Sequence, residues 1–212
     1  MGNYRPITDM WMLARPGLLP HDDGTKRKYY GAYLGGFPER ARALLAARYD
    51  EPVLHVCGGA AKHYKYVQGF GPNDKTLDMD PATAPDFLQD AREPWPASAP
   101  VLCSKSDGMQ WVTLVQWAAI LIDPPYTETD AEKYAPGAKA YPSPGVLLQR
   151  AFEVLPDYGR VGIIHYLVPR APSPSRFVAC VGVMAGFNNR MRAYTVYEKL
   201  PQNPVGDSGS AE

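Results

Sequence analysis

The stretch Trp117-Ala118-Ala119-Ile120-Leu121-Ile122-Asp123-Pro124-Pro125-Tyr126 decides how this chain is read. Its apolar residues run on without alternation and stop at an acid and two prolines. An unbroken run of this length suits a strand buried on both faces, as the central strands of a parallel sheet are. Proline cannot donate to a strand ladder, so the strand must end there. The carboxyl ends of such strands are where open α/β sheets hold their ligands.

Working outward, Phe37-Pro-Glu-Arg-Ala-Arg-Ala-Leu-Leu-Ala-Ala-Arg48 has proline in its first turn, Ala and Leu at helical spacing and Arg at its end, and predicts a helix. Pro52-Val-Leu-His-Val56 predicts a short strand that breaks into Cys57-Gly58-Gly59-Ala60. Thr76-Leu-Asp-Met-Asp80 is a second strand candidate, and Asp86-Phe-Leu-Gln-Asp90 a weaker third. Beyond the central run, Pro144 to Leu155 predicts a helix. Arg160–Val168, Phe177–Met184 and Met191–Lys199 predict strands, the last two joined by the turn residues Gly186-Phe-Asn-Asn189. Strands alternating with helices and closed by a hairpin imply an α/β fold: an open, doubly wound, mostly parallel sheet between helical layers. Residues 94–117 mix Pro, Ser, Trp and Gln without a clear period, and no element is assigned there. Residues 1–28 read as an irregular arm anchored by Trp11 and Met12, residues 29–200 as a single domain, and residues 201–212 as a flexible tail.

Composition bounds the function. At 212 residues and 45% hydrophobic, the chain can bury one substantial core. Lys plus Arg and Asp plus Glu each total 22, which argues against coating a polyanion by bulk charge. The balance hides an uneven distribution, with residues 51–136 acidic and both flanking regions basic. That pattern suits a protein holding a cation centrally and a polyanion beside it. Cys57, Cys103 and Cys180 form no paired motif, and His21, His55, His63 and His165 have no ligand spacing, so no metal is expected. The longest apolar run, Phe177 to Phe187, is too short to span a bilayer, and no signal core opens the sequence. A soluble cytoplasmic protein with no membrane partner is the expectation.

The chemistry concentrates at Asp123-Pro124-Pro125-Tyr126. An exocyclic amine on a nucleobase is a poor nucleophile, because its lone pair is delocalised into the ring. A carboxylate at Asp123 can accept one amine hydrogen and the carbonyl of Pro124 the other, favouring a pyramidal, nucleophilic nitrogen. Pro124 and Pro125 stiffen the backbone that aims this carbonyl. Tyr126 offers a flat face for a base withdrawn from its stack. Gly-x-Gly-x-x-Gly and Gly-Lys-Ser/Thr are absent, which disfavours nicotinamide and P-loop sites. No Pro-Cys pair follows a strand, so a cysteine nucleophile of the kind used at cytosine C5 is not expected.

The order of these motifs resembles that of the amino-methylating DNA methyltransferases of the adenine-specific type, from about Tyr29 to Lys199. That resemblance implies the class I methyltransferase fold, a seven-stranded sheet with an antiparallel last strand in a three-layer α/β/α arrangement. It also implies S-adenosylmethionine as cofactor, leaving as S-adenosylhomocysteine. By its implication Lys28-Tyr-Tyr-Gly-Ala-Tyr33, with Tyr30, closes over the methionine part of the cofactor. Cys57, Gly58 and Gly59 form the glycine loop, with His55 standing where many relatives carry an acid. Asp78, or Asp80 in its place, accepts from the ribose hydroxyls, and Asp90 with Ala91 meets the adenine of the cofactor. The catalytic set is then Asp123, Pro124, Pro125 and Tyr126, acting by direct in-line transfer to adenine N6 in DNA. Lys133, Lys139, Arg170, Arg176, Arg190 and Arg192 are candidate nucleic-acid contacts. No segment fits an added target-recognition region, so low sequence specificity or a partner subunit is expected. Alternatives are transfer to RNA or to cytosine N4, or a non-catalytic nucleic-acid-binding subunit of the same fold.

Overall fold

The computed structural model describes residues 4–13, 19–20, 26–27, 33–63, 69–104, 110–134, 141–185 and 190–202. In chain order the elements are β1 (Ile7–Met12), β2 (Leu19–Pro20), β3 (Lys26–Arg27), α1 (Phe37–Leu44), β4 (Val53–Val56), β5 (Lys75–Asp78), β6 (Phe87–Leu88), β7 (Ser98–Ser104), β8 (Gln110–Gln116) and β9 (Ala119–Ile122). They continue with α2 (Glu128–Tyr134), α3 (Pro144–Val154), β10 (Arg160–His165), β11 (Ser175–Met184) and β12 (Arg192–Lys199), and single 3-10 turns cover Ala61–His63 and Pro81–Thr83.

One eight-stranded sheet runs β1-β11-β12-β10-β9-β4-β5-β6. The central apolar run is indeed its middle: β9 lies parallel between β4 and β10, with Ile122 opposite both Val56 and Ile163. All four residues of β9 are buried. Side chains alternate across a strand, so Ala119 and Leu121 enter one core and Ile120 and Ile122 the other. The first core is closed by Phe37 and Ala41 of α1. The second is closed by Leu147, Leu148 and Ala151 of α3. The expected three layers follow from this double burial. Each fully buried Ile or Leu is worth about 1.5–3 kcal/mol over an exposed one, and β9 is the strand on which both layers depend.

The last strand, β12, is antiparallel to both β10 and β11. This seven-strand arrangement, with its reversed final strand, is the class I methyltransferase fold. Two differences from expectation stand beside it. Residues 7–12, read as part of an irregular arm, form β1, which adds an eighth strand parallel to β11 with Trp11 opposite Val183. Its pattern misleads because most of the strand is exposed while Trp11 packs on Phe37 and Tyr194. The unassigned 94–117 stretch holds an antiparallel ribbon, β7 with β8, standing apart from the main sheet. Trp117 anchors the foot of this ribbon, its indole N–H donating to Pro96 O at 2.7 Å.

Candidate active site

β4, β5 and β9 end together, and their loops form the site. At the end of β4 the backbone turns at Cys57 (φ 53°), whose N–H donates to Leu77 O at 2.8 Å. A Cβ on Gly58 would sit 3.1 Å from both the Cβ and the carbonyl oxygen of His55, so a side chain there would crowd the loop. Gly59 (φ 52°) then presents its N–H to Asp78 Oδ2 at 2.9 Å. Asp78 ends β5, and its Oδ1 accepts from the Asp80 N–H at 3.0 Å. Burial lifts the Asp78 pKa, against the pull of those two N–H donors. The Asp80 carboxylate instead caps the following turn, accepting from Ala82 N–H at 2.9 Å. The acid that the geometry places against the glycine loop is therefore Asp78.

Asp90 is held at its own turn, where Arg92 donates to it through guanidinium contacts of 2.5–3.0 Å. The Arg92 hydrogen bonds hold the Asp90 carboxyl below its usual range. Ala91 is buried and receives the Trp95 indole N–H on its carbonyl at 2.8 Å.

The Asp123 N–H donates to Val56 O at 3.1 Å, which ties the motif to the end of β4. Its Oδ1 accepts from the Tyr126 hydroxyl at 2.5 Å. Burial raises the Asp123 pKa to about 6, against the lowering effects of Arg192 and the Tyr126 hydrogen bond. Tyr126 is half-buried, not lost in the core. Its ring packs on Tyr166 (4.7 Å between centroids) and edge-on to His165 (5.8 Å), and the Arg192 guanidinium lies 4.8 Å above it. Arg190 covers Tyr166 at 5.7 Å. One observation unites the site. The Cys57 thiol is pushed well up, first by burial and then by the charges of Asp78, Asp123 and Asp90. Three acids that are far apart in sequence thus act on one atom. The same shift keeps Cys57 a thiol at neutral pH, so it is no rival nucleophile.

Of the basic candidates, Arg190 and Arg192 reach this end of the sheet. Arg176 does not: with Arg160 it pairs with the buried Glu198 at the opposite end of the strands. Arg170 is exposed beside Pro169, whose carbonyl accepts from the Tyr197 hydroxyl, and Tyr197 belongs to that same far end. Tyr30 and Lys139 lie outside the described residues, as does the side chain of Lys133.

Sequence reasoning passed over two groups. His165 and Tyr166 pack on Tyr126, and Tyr141 lies against His165; that His165 and Tyr166 stand at the end of an apolar strand was the available signal. Beneath the glycine loop, His55 Nε2 donates to Asp74 Oδ2 at 3.1 Å, and His55 Nδ1 meets the Tyr33 hydroxyl at 3.1 Å. Asp74 also binds the Arg42 guanidinium and accepts from Val53 N–H and Gly71 N–H. Burial opposes ionisation of Asp74, but His55 and Arg42 outweigh it and hold its pKa low. Where many relatives of the resembled family carry an acid, this chain has a histidine that joins β4 to Asp74 in the loop before β5, and Asp74 in turn binds Arg42 of α1. Among the described residues, no group of three or more His, Cys, Asp or Glu could hold a metal ion, and no helix is long and apolar enough to cross a membrane.

No protein-family model and no curated protein matches the chain. Solved structures do. TrmN from Thermus thermophilus superposes with a TM-score of 0.51 at 18% identity over 79% of this chain and 49% of that one. The N-methyltransferase NodS from Bradyrhizobium japonicum gives 0.44 at 10% identity, over 77% of this chain and 96% of that one. An rRNA methylase from Streptococcus thermophilus gives 0.42 at 10% identity, over 77% and 96%. The chain spans about half the length of TrmN. The TrmN superposition bears on the fold alone, and it agrees with the strand order that this is the class I methyltransferase fold.

Proposed function

We propose that this chain is an enzyme that transfers a methyl group from S-adenosylmethionine to the exocyclic amino nitrogen of a nucleobase, with adenine N6 in DNA as the favoured target. The observation that carries this reading is the position of Asp123. Its carboxylate follows directly on the central strand, accepts from the hydroxyl of the ring it would share with a base, and adds with Asp78 and Asp90 to the upward shift that burial imposes on the Cys57 thiol.

The residues present fit the cofactor. A bare backbone at Gly58, the Gly59 N–H on Asp78 and a half-buried carboxylate at Asp78 make a cradle suited to a ribose diol. When bound, S-adenosylmethionine supplies a methyl group carried on a cationic sulfur. The acidic middle of the chain, Asp78, Asp90 and Asp123 included, favours that charge. Asp90 and Ala91, one turn on, are the proposed neighbours of the cofactor adenine, and Tyr30 with Tyr33 that of its methionine end.

The protein's part in the reaction is positioning and hydrogen bonding. Ionised Asp123 accepts one amine hydrogen while the Pro124 carbonyl accepts the second, which draws the nitrogen lone pair out of the ring. Oδ1 already takes the Tyr126 hydroxyl, and a carboxylate has about four acceptor sites, so capacity for the amine remains. As the new N–C bond forms, the nitrogen becomes acidic and gives up one proton, so Asp123 need not be a strong base. Tyr126 and Tyr166 provide flat surfaces for the base. Arg190 and Arg192, at the same end, are the proposed phosphate contacts, and these position a strand without reading it.

Asp before the paired prolines favours adenine over cytosine, since Ser is commoner there in the cytosine enzymes of the resembled family. The deciding experiment is nucleoside mass spectrometry after incubating the protein and S-adenosylmethionine with unmethylated DNA and, separately, RNA. N6-methyladenine in the DNA digest is expected. Methylation in the RNA digest alone would move the substrate to RNA, and no methylated nucleoside in either would defeat the proposal.

A further inference from the structure

His165 closes β10 and is buried, yet it contacts the aromatic cluster at the mouth of the site. Its two nitrogens have different partners. The backbone N–H of Leu167 donates to Nδ1 at 3.1 Å, so Nδ1 carries no proton. The neutral ring therefore carries its hydrogen on Nε2, which lies 2.9 Å from the Tyr141 hydroxyl. Burial lowers the His165 pKa, in keeping with a neutral ring. Nε2–H must donate to the Tyr141 oxygen, and the hydroxyl hydrogen of Tyr141 is left to point elsewhere. Among the described residues Tyr141 has no other hydrogen-bond partner. An oxygen that accepts one hydrogen bond becomes a better donor for the next.

Among the described residues, no other hydroxyl of the cluster is turned into a donor in this way. Asp123 and the Pro124 carbonyl are acceptors, the Tyr126 hydroxyl is spent on Asp123, and Arg190 and Arg192 lie over ring faces. Tyr166 packs its ring on Tyr126, and among the described residues no neighbour fixes the direction of its hydroxyl. Tyr141 is the hydroxyl whose polarity the fold sets. An amine of the proposed kind always sits next to a ring nitrogen with a lone pair, N1 in adenine or N3 in cytosine. Two acceptors for the amine and one oriented donor for that nitrogen would read both atoms of the base edge.

Resting on the proposed amino-methyl transfer, we infer that Tyr141 is a specificity residue that donates to the ring nitrogen beside the target amine, and that His165 is the positioning residue that makes it a donor. The test compares adenine with 1-deazaadenine, which keeps the amine but replaces N1 by C–H, in an otherwise identical oligonucleotide (3-deazacytosine serves if cytosine is the base methylated). For the unmodified enzyme, kcat/KM should fall roughly tenfold on the deaza base, about the worth of one buried hydrogen bond. Tyr141→Phe should lose a similar factor on adenine and lose nothing further on the deaza base, the signature of a direct contact. A purely structural role for Tyr141 would leave the deaza penalty unchanged in the variant.

Equal deaza penalties in both proteins would overturn the inference, as would unmodified enzyme that methylates both bases equally well. Either result would leave the proposed reaction standing. Absence of any transfer by the unmodified enzyme would remove the reaction and this inference together. Should Tyr141→Phe prove inactive, equal methylation of both bases by the unmodified enzyme would still overturn the inference.

Discussion

Replacing Asp123 by Asn should make the protein more stable at neutral pH while removing its chemistry. Folding raises the Asp123 pKa from 3.8 to about 6, mainly through burial. Between those values the folded chain holds a proton that the unfolded chain has released, so stability falls as pH rises through that window. Each pH unit is worth about 1.4 kcal/mol, giving an upper limit of about 3 kcal/mol. The residue is only partly shielded from water, so about 1–3 kcal/mol is the expected range. Asparagine has the same shape, can still accept from the Tyr126 hydroxyl, and carries no charge to desolvate. Urea unfolding of both proteins at about pH 8 and about pH 4 reads the difference from the midpoints. The variant should be more stable by that amount at the higher pH and nearly equal at the lower. A variant less stable at about pH 8, or a gap that ignores pH, would refute the reasoning, because the carboxylate would then not be paying a burial cost in the site.

Further outcomes follow from the same groups. Because ionised Asp123 is the acceptor, kcat/KM for methyl transfer should be flat above about pH 7 and fall about tenfold per pH unit below about pH 6; a profile flat down to about pH 4.5 would exclude Asp123. Asp78→Ala should weaken S-adenosylmethionine binding at least tenfold by calorimetry, since it removes the carboxylate and frees the Gly59 N–H; unchanged affinity would remove Asp78 from the cofactor site. Asp74→Ala should cost about 3–5 kcal/mol in unfolding free energy, because Arg42 and His55 would be left buried without their shared anion; a loss under about 1 kcal/mol would show that the network is not bracing the fold.

Much of the sheet was legible because β9, β4 and nearly all of β10 are buried on both faces, so their sequences are mostly apolar without alternation. Asp123 and Asp78 were legible for a related reason, as acids standing where such runs stop. The β7–β8 ribbon was not. Leu102, Val112 and Leu114 are exposed, so no buried face imposes the alternation by which a strand is read. β1 escaped for a similar reason, its exposed Ile7, Met10 and Met12 and its polar Thr8 and Asp9 falling in no alternation that marks a face. The Arg42–Asp74–His55–Tyr33 network joins residues up to 32 positions apart, and no spacing rule connects them. Arg176 illustrates the converse. Its charge suggested a phosphate contact, but only the register of β11 against β12 shows it at the far end, beside Glu198.

The central claim is that a carboxylate and a rigid carbonyl prepare an amine held at the end of β9. Single-turnover transfer by Asp123→Ala, measured beside calorimetry with S-adenosylmethionine, tests it most directly. The account predicts transfer slowed at least about a hundredfold with cofactor affinity within about threefold of the parent. Transfer at the parental rate, with the cofactor bound as before, would contradict it.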